Sequence, residues 1–214
     1  MSAATPDHLN SLLAEAGLPT LDSDLSAKFT DYLALLLRWN RKVNLTSVCD
    51  EDGILRRHFV ESIACSRALP PGIRALLDFG SGGGFPGIPI ALCRPEIAVT
   101  LAESQTRKAA FLREAVRTLD LSASVHAGRA EALNPRFDCV ILRGVDRMEA
   151  AVAAGAGLVA PNGLLVLMTV GTDIERLQKA AGAEFSWSQP IPLPFSESRV
   201  LVLGSRLSAT DEKR

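Results

Sequence analysis

Leu77-Asp78-Phe79-Gly80-Ser81-Gly82-Gly83-Gly84-Phe85-Pro86-Gly87-Ile88-Pro89 is the stretch on which the fold turns. An apolar run ends at Asp78 and opens into glycines, which tolerate positive φ and admit close approach of a ligand to the backbone. Pro86 or Pro89 suits the first turn of a following helix, whose unpaired amides favour an acceptor-rich ligand. The reading is strand, nucleotide cradle of backbone amides, helix. Residues 82–87 also match GxGxxG, so the loop by itself leaves open which nucleotide is held.

Working outward, short apolar runs at 75–79, 98–102, 123–126, 137–142 and 164–170 alternate with helical patterns at 86–93, 105–119, 129–133, 146–159 and 173–181, the signature of a parallel sheet. Two further strand-like pieces, 184–189 and 199–204, are joined by a Pro-rich loop too short for a crossover helix and are expected to pair antiparallel. Upstream, Leu25, Phe29, Tyr32, Leu33, Leu36 and Trp39 recur at helical spacing after the candidate caps Asp22 and Ser23. Helices are expected on either side of it, at 7–16 and 52–69, the latter ended by Pro70-Pro71-Gly72. The expected division is a helical N-terminal module (1–72), a catalytic α/β domain (73–207) and a polar tail (208–214).

Composition bounds the function. With 214 residues, 47% of them hydrophobic, the chain can build a sizeable core. A net charge of −1 means that any nucleic-acid binding must come from a local patch. The four cysteines, Cys49, Cys65, Cys93 and Cys139, have no CxxC spacing and read as reduced thiols, with no metal expected. No run approaches the ~18 apolar residues of a membrane span, and the N-terminus does not read as a signal peptide. A cytoplasmic protein without membrane contact is expected.

Five parallel strands closed by an antiparallel pair look like the class I S-adenosylmethionine-dependent methyltransferase fold, Rossmann-like with a C-terminal antiparallel hairpin. The glycines follow the acidic strand end Asp78, and Glu103 closes the second strand, where its carboxylate can accept both ribose hydroxyls of an adenosine. A dinucleotide oxidoreductase using NAD(P) shares the ribose acid, and the terminal hairpin is what favours the methyl donor. Arg143, just past the fourth strand, is either a surface ion-pair partner or a ligand contact at the carboxyl edge of the sheet. Arg129 and Glu131, after the third strand, carry the same ambiguity. His8 and His126 read as incidental; His58 can face a ligand but reads more simply as a helix-surface residue. Arg38, Arg41, Lys42, Arg56 and Arg57, with Arg107, Lys108 and Arg113, can form a basic rim interleaved with Trp39 and His58, although Asp50, Glu51 and Asp52 dilute it.

Trp39-Asn40, Asn44-Leu45-Thr46-Ser47-Val48, Arg57-His58 with Glu61-Ser62-Ile63, and Gly80 to Pro89 together resemble, in order and spacing, the RsmG/GidB family of ribosomal RNA small subunit methyltransferases. Arg94-Pro95, Glu103-Ser104, Arg107-Lys108, Phe111-Leu112-Arg113 and Phe137-Asp138 extend the match. The resemblance implies methyl transfer from S-adenosylmethionine to N7 of a guanine in the decoding-region loop of bacterial 16S rRNA, with the rRNA or the 30S subunit as partner; a monomer is expected. It implies that Gly80, Ser81, Gly82 and Phe85 hold the donor, that Glu103 binds its ribose, and that Ala130 and Glu131 contact its adenine. Arg143 would border the methyl-transfer site as both donor contact and catalytic residue, and Arg56, Arg57, His58, Arg107 and Lys108 would meet RNA. A donor-binding assembly factor without turnover is the further alternative. The chain departs from the family pattern at Leu142-Arg143-Gly144, at Met168-Thr169-Val170-Gly171, and at Arg199, which reads as offset from the arginine expected near the last strand.

Overall fold

The computed structural model describes residues 5–134 and 136–207, so the expected polar tail lies outside the described residues. Strands β1 (Ala75–Phe79), β2 (Ala98–Ala102), β3 (Ala123–His126), β4 (Phe137–Arg143) and β5 (Val159–Val170) run parallel in the order β3-β2-β1-β4-β5. The order reverses between β1 and β4, which makes the crevice beyond their carboxyl ends the natural ligand site. The expected antiparallel pair is present as β6 (Phe185–Trp187) and β8 (Arg199–Arg206), and β8 also lies antiparallel against β5.

Two departures from the sequence reading have local causes. Strand β5 begins at Val159, earlier than expected, because Val159 pairs with Phe137 before the register shifts and Leu164 pairs with Cys139. Pro161, Asn162 (φ 61) and Gly163 fill that irregularity, and their turn chemistry hid the strand. A two-residue strand, β7 (Ile191–Pro192), pairs with β8 inside the Pro-rich loop, an edge position where the missing N–H of proline is tolerated.

The N-terminal helices are α1 (Thr5–Glu15) and α2 (Ser23–Asn40), the second capped by Asp22, whose side chain accepts the Leu25 N–H at 2.8 Å. The expected helix at 52–69 is broken into α3 (Glu51–Ile54), one turn of π-helix (Leu55–Val60) and α4 (Glu61–Ala68). Helices α5 (Gly87–Cys93), α6 (Thr106–Thr118), α7 (Met148–Leu158) and α8 (Ile174–Ala181) connect the strands, and the segment after β3 is a short 3₁₀ turn, Ala130–Ala132. Alternation along the strands sorts the core into two. Leu76, Cys139, Ile141 and Val166 share one cluster with Leu13, Phe29, Leu36 and Phe59 of the N-terminal helices and with Ile88 and Phe111. Leu77, Val140, Leu142 and Leu167 face the other way, against Val152 of α7 and Leu177 of α8. The N-terminal helices therefore pack on the sheet face that supports the glycine loop.

That support is specific. The Tyr32 hydroxyl of α2 donates to the Gly83 carbonyl at 2.5 Å, and Tyr32 packs against Phe85 with ring centroids 5.3 Å apart. Gly84 has φ +88, and a Cβ there would stand 2.4 Å from Ile88 Cδ1 and 2.8 Å from the Tyr32 hydroxyl. Asp78, buried beneath the loop, accepts the Gly87 N–H at 3.1 Å. Burial pushes its carboxyl up to about 7; the Ser81 and Gly87 hydrogen bonds and Arg143 pull the other way.

Gly84→Ala is expected to destabilise the protein by roughly 2 kcal/mol or more, read from the urea midpoint, because it combines a left-handed backbone with overpacking. Asp78 gives a pH signature. Its folded carboxyl keeps a proton that the unfolded chain releases near 3.8, so its contribution to stability is lost as pH rises from about 4 to about 7. The stability difference between Asp78→Asn and wild type should grow through that window in favour of the variant and level off above it; a flat difference would contradict this assignment.

Candidate active site

At the carboxyl edge of the sheet lies a pocket of about 730 Å³, walled by the glycine loop, the ends of β2, β4 and β5, and the segment Leu45-Thr46-Ser47. Gly80 (φ +75) turns the chain out of β1, and a Cβ at this position would press on the Val145 side chain at 3.0 Å. The loop's amides do not face a ligand as the sequence reading expected. Those of Gly80 and Ser81 donate to the Ala102 carbonyl at 3.0 and 2.9 Å, and that of Gly82 donates to Glu103 Oε2 at 3.0 Å. At the start of α5, Gly87 N–H goes to Asp78, Ile88 N–H to the Gly84 carbonyl, and Pro89 has none. What remains open, besides the Gly83 N–H, are acceptors, since the Gly80 and Gly82 carbonyls take no hydrogen bond among the described residues.

This inventory separates the two nucleotide readings. A dinucleotide's pyrophosphate needs free N–H groups at the helix start, and here they are spent. Carbonyl oxygens instead suit a ligand carrying ammonium and sulfonium charge. Glu103 is buried to 7% exposure; Gly82 and Gln105 N–H groups hold one oxygen each at 3.0 and 2.7 Å, leaving a lone pair on each for a ribose hydroxyl. The Ala130 N–H has no protein acceptor among the described residues and sits on the same wall, next to Glu131. The residues fit an adenosyl group with a cationic tail.

Arg143, at the end of β4, is a half-buried ion-pair partner that also lines the pocket. Its Nη2 donates to Glu61 Oε2 at 2.9 Å and to the Arg57 carbonyl at 2.5 Å. The π turn helps explain that second bond, because wider i→i+5 bonding disturbs the helical pairing of backbone carbonyls around Arg57. Glu61 has no solvent exposure, and its other oxygen accepts from Arg199 Nε at 2.6 Å and Nη2 at 2.5 Å. Arg199 thus reaches the pocket despite its offset in the sequence pattern.

His58 is not a helix-surface residue. Its ring stacks on Phe85 with centroids 4.7 Å apart at 20°, and its Nε2 lies 2.7 Å from Thr46 Oγ1. Burial, with Arg143, Arg57 and Arg199 nearby, drives its pKa down to about 3, so the ring is neutral. Its Nδ1 is buried without a partner. Asn40 holds the facing wall by accepting the Leu45 and Thr46 N–H groups at 2.7 and 2.9 Å and donating to the Thr46 carbonyl at 3.0 Å.

Of the residues singled out from sequence, Gly80, Ser81, Gly82, Phe85, Glu103, Ala130, Glu131 and Arg143 all line the pocket, as do Arg57, His58 and Lys108. Arg56 and Arg107 do not. Arg56 is paired with Asp52 at 2.9 Å and Glu15 at 3.4 Å and lies over the Phe195 ring, and Arg107 is exposed on α6. Arg38 is paired with Glu114. Glu61, Arg199 and Thr46 were given no role from sequence; a carboxylate among the apolar positions of a helix was the available signal for Glu61.

Solved methyltransferases share the fold. An O-methyltransferase from Bacillus cereus in complex with SAH superposes with TM-score 0.60 at 15% identity, covering 92% of this chain and 96% of that one. A SAM-dependent methyltransferase from Aquifex aeolicus gives 0.58 at 13% identity, covering 74% and 95%. Closer likeness is found in sequence. A ribosomal RNA small subunit methyltransferase G from Xanthomonas oryzae pv. oryzae (strain KACC10331 / KXO85) is 40% identical over 170 residues, 78% of this chain and 79% of its own. One from Roseiflexus sp. (strain RS-1) is 35% identical over 207 residues, covering 89% and 87%. The profile of GidB, rRNA small subunit methyltransferase G, matches residues 25–197, a span that contains the glycine loop, Glu103, Arg143 and Glu61. An acceptor-lined pocket at the switch point of a methyltransferase sheet, joined to this match, places the chain in the rRNA small subunit methyltransferase G family, whose members depend on S-adenosylmethionine.

Proposed function

We propose that the protein methylates N7 of a guanine in the decoding-region loop of bacterial 16S rRNA, with the 30S subunit as the presented substrate and the cytoplasm as the compartment. The observation that carries this reading is the pocket's division of labour. Buried Glu103 and the free Ala130 N–H stand on one flank, open carbonyls of Gly80 and Gly82 in the middle, and Arg143 beside the acceptor space. When bound, S-adenosylmethionine supplies a methyl group on positively charged sulfur. Guanine N7 carries a lone pair at neutral pH, so the protein has no proton to remove.

The residues' work is therefore orientation. Glu103 fixes the ribose, the glycine-loop carbonyls face the cationic tail, and Arg143, itself locked by Glu61 and the Arg57 carbonyl, aligns the base. Holding N7, carbon and sulfur in line in a water-poor pocket is worth up to ~7 to 11 kcal/mol of barrier. His58 and Lys108, which line the pocket, and Arg57 at its rim are the RNA contacts that this reading retains. Arg56 and Arg107 would act only on RNA beyond the pocket.

Incubation of the protein with labelled S-adenosylmethionine and 30S subunits from a strain lacking the modification is expected to label a single guanine at N7; donor binding without transfer would point to an assembly factor. Glu103→Ala should weaken donor binding about 10- to 100-fold by calorimetry, the loss of charge-assisted hydrogen bonds worth ~1.5 to 3 kcal/mol. NAD should not bind to wild type. Arg143→Ala should lower kcat/KM at least ~100-fold, in the range seen when one preorganised donor is removed from an active site.

A further inference from the structure

The carboxylate of Glu61 serves two guanidiniums, and the pairing is unequal. Arg143 and Arg199 together carry two positive charges against one negative, so one positive charge is left over beside the pocket. Neither guanidinium is exhausted by its pairing. Arg143 Nε and Nη1 and Arg199 Nη1 have no protein acceptor among the described residues. These nitrogens do not figure among buried unpaired side-chain atoms, of which His58 Nδ1 is the one found in the described residues, so they face accessible space. His58 adds no charge to this wall, and Asp173, which also lines the pocket, is held by Arg176 at 3.0 Å.

The sheet order says which ligand this surplus meets. Glu103 ends β2, on one side of β1, whereas Arg199 opens β8, on the other side, with β4 and β5 between. At about 4.8 Å per strand, Arg199 is placed roughly 14 Å across the sheet from β1, away from the adenosyl flank. Its backbone is fixed there, opposite Val170 of β5 and with the Leu193 N–H donating to its carbonyl at 3.0 Å.

We infer that Arg143 and Arg199, held in place by Glu61, form an oxyanion subsite for a backbone phosphate of the RNA at the nucleotide being methylated. The inference rests on the methyl-transfer reading and adds to it the group that anchors the acceptor strand. Forked N–H donors on a desolvated guanidinium match phosphate oxygens in geometry as well as charge. Glu61 is a positioning residue here. A carboxylate of the donor is the other oxyanion that could occupy the subsite, and it predicts a different outcome.

Arg199→Ala tests the assignment, because it leaves Glu61 and Arg143 matched one to one. Donor affinity is measured by calorimetry, and binding and methylation of unmodified 30S subunits are measured over a range of KCl concentrations. Arg199→Ala is expected to keep donor affinity within about threefold, weaken 30S binding at least ~10-fold, and reduce the slope of log K against log [KCl] by about one. Arg199→Lys should keep the slope while recovering only part of the affinity. Equal loss of donor and 30S affinity would give the subsite to the donor's carboxylate, and unchanged 30S affinity and slope would remove it altogether; either result overturns the proposal. If Arg199→Ala does not fold, Arg199→Lys with wild-type 30S affinity overturns it. Wild type that binds the donor yet methylates no 30S guanine would sink the functional reading itself, a failure distinct from that of the subsite.

Discussion

A single carboxylate without solvent access, Glu61, holds together three parts of the chain that are remote in sequence. It opens α4, Arg143 closes β4 and Arg199 opens β8, so the N-terminal helices, the middle of the parallel sheet and its antiparallel edge are tied at one point. Burying such ions costs roughly several kcal/mol each, and the cost is offset only when geometry is good and the remaining donors are satisfied. The π turn matters for this reason. It brings the Arg57 carbonyl to Arg143 as an additional acceptor at 2.5 Å, so the arginine that lines the pocket is held by two acceptors.

The same logic of satisfied and unsatisfied groups distinguishes the donor. Glycine-rich turns are usually read as amide cradles for phosphate, and the sequence invited that reading. Here the amides of Gly80, Ser81, Gly82 and Gly87 are consumed locally, by the Ala102 carbonyl, by Glu103 and by Asp78, and the turn is left with the Gly83 N–H and the Gly80 and Gly82 carbonyl oxygens. Glu103 therefore serves twice. It pins the loop by accepting from Gly82, and each of its oxygens keeps a lone pair that a ribose would take on the proposed reading. Packing enforces the arrangement from below, where Tyr32 and Phe85 join α2 to the loop and His58 lies flat against Phe85.

Strand and helix periodicity in the sequence placed every parallel strand, and turn chemistry placed the glycine loop, because both are local properties of the chain. Errors came where tertiary partners overrode local signals. Residue 159 reads as the end of a helix and the strand as starting at 164, beyond Pro161, Asn162 and Gly163, yet Val159 pairs with Phe137. Residues 52–69 had unbroken helical spacing, and nothing local announced the π turn. The direction of the loop amides and the pairing of Arg56 with Glu15 depend on groups 21 to 41 residues away, which spacing does not encode. The sequence could not choose between a surface and a ligand-facing His58 for the same reason, since the groups that cover its ring, Phe85 and Thr46, come from other segments.

These commitments constrain the chemistry. A methyl transfer that had to remove a proton would need a buried base with a free lone pair and a pKa near neutrality. Each buried titratable group on the pocket wall is otherwise engaged. Glu61 is divided between two arginines, Glu103 is bound to two amides, and His58 is held near a pKa of about 3 beside Thr46. Asp78 does rise to about 7, but it lies beneath the loop and its carboxyl is turned to Gly87. Such a site favours an acceptor atom that is already nucleophilic. Among the nitrogens of a guanine, N3 and N7 meet that condition and N7 is the more nucleophilic, whereas N1 and the exocyclic amine each carry hydrogen that must leave. The arrangement of charges thus supports N7 on physical grounds that are independent of the family match.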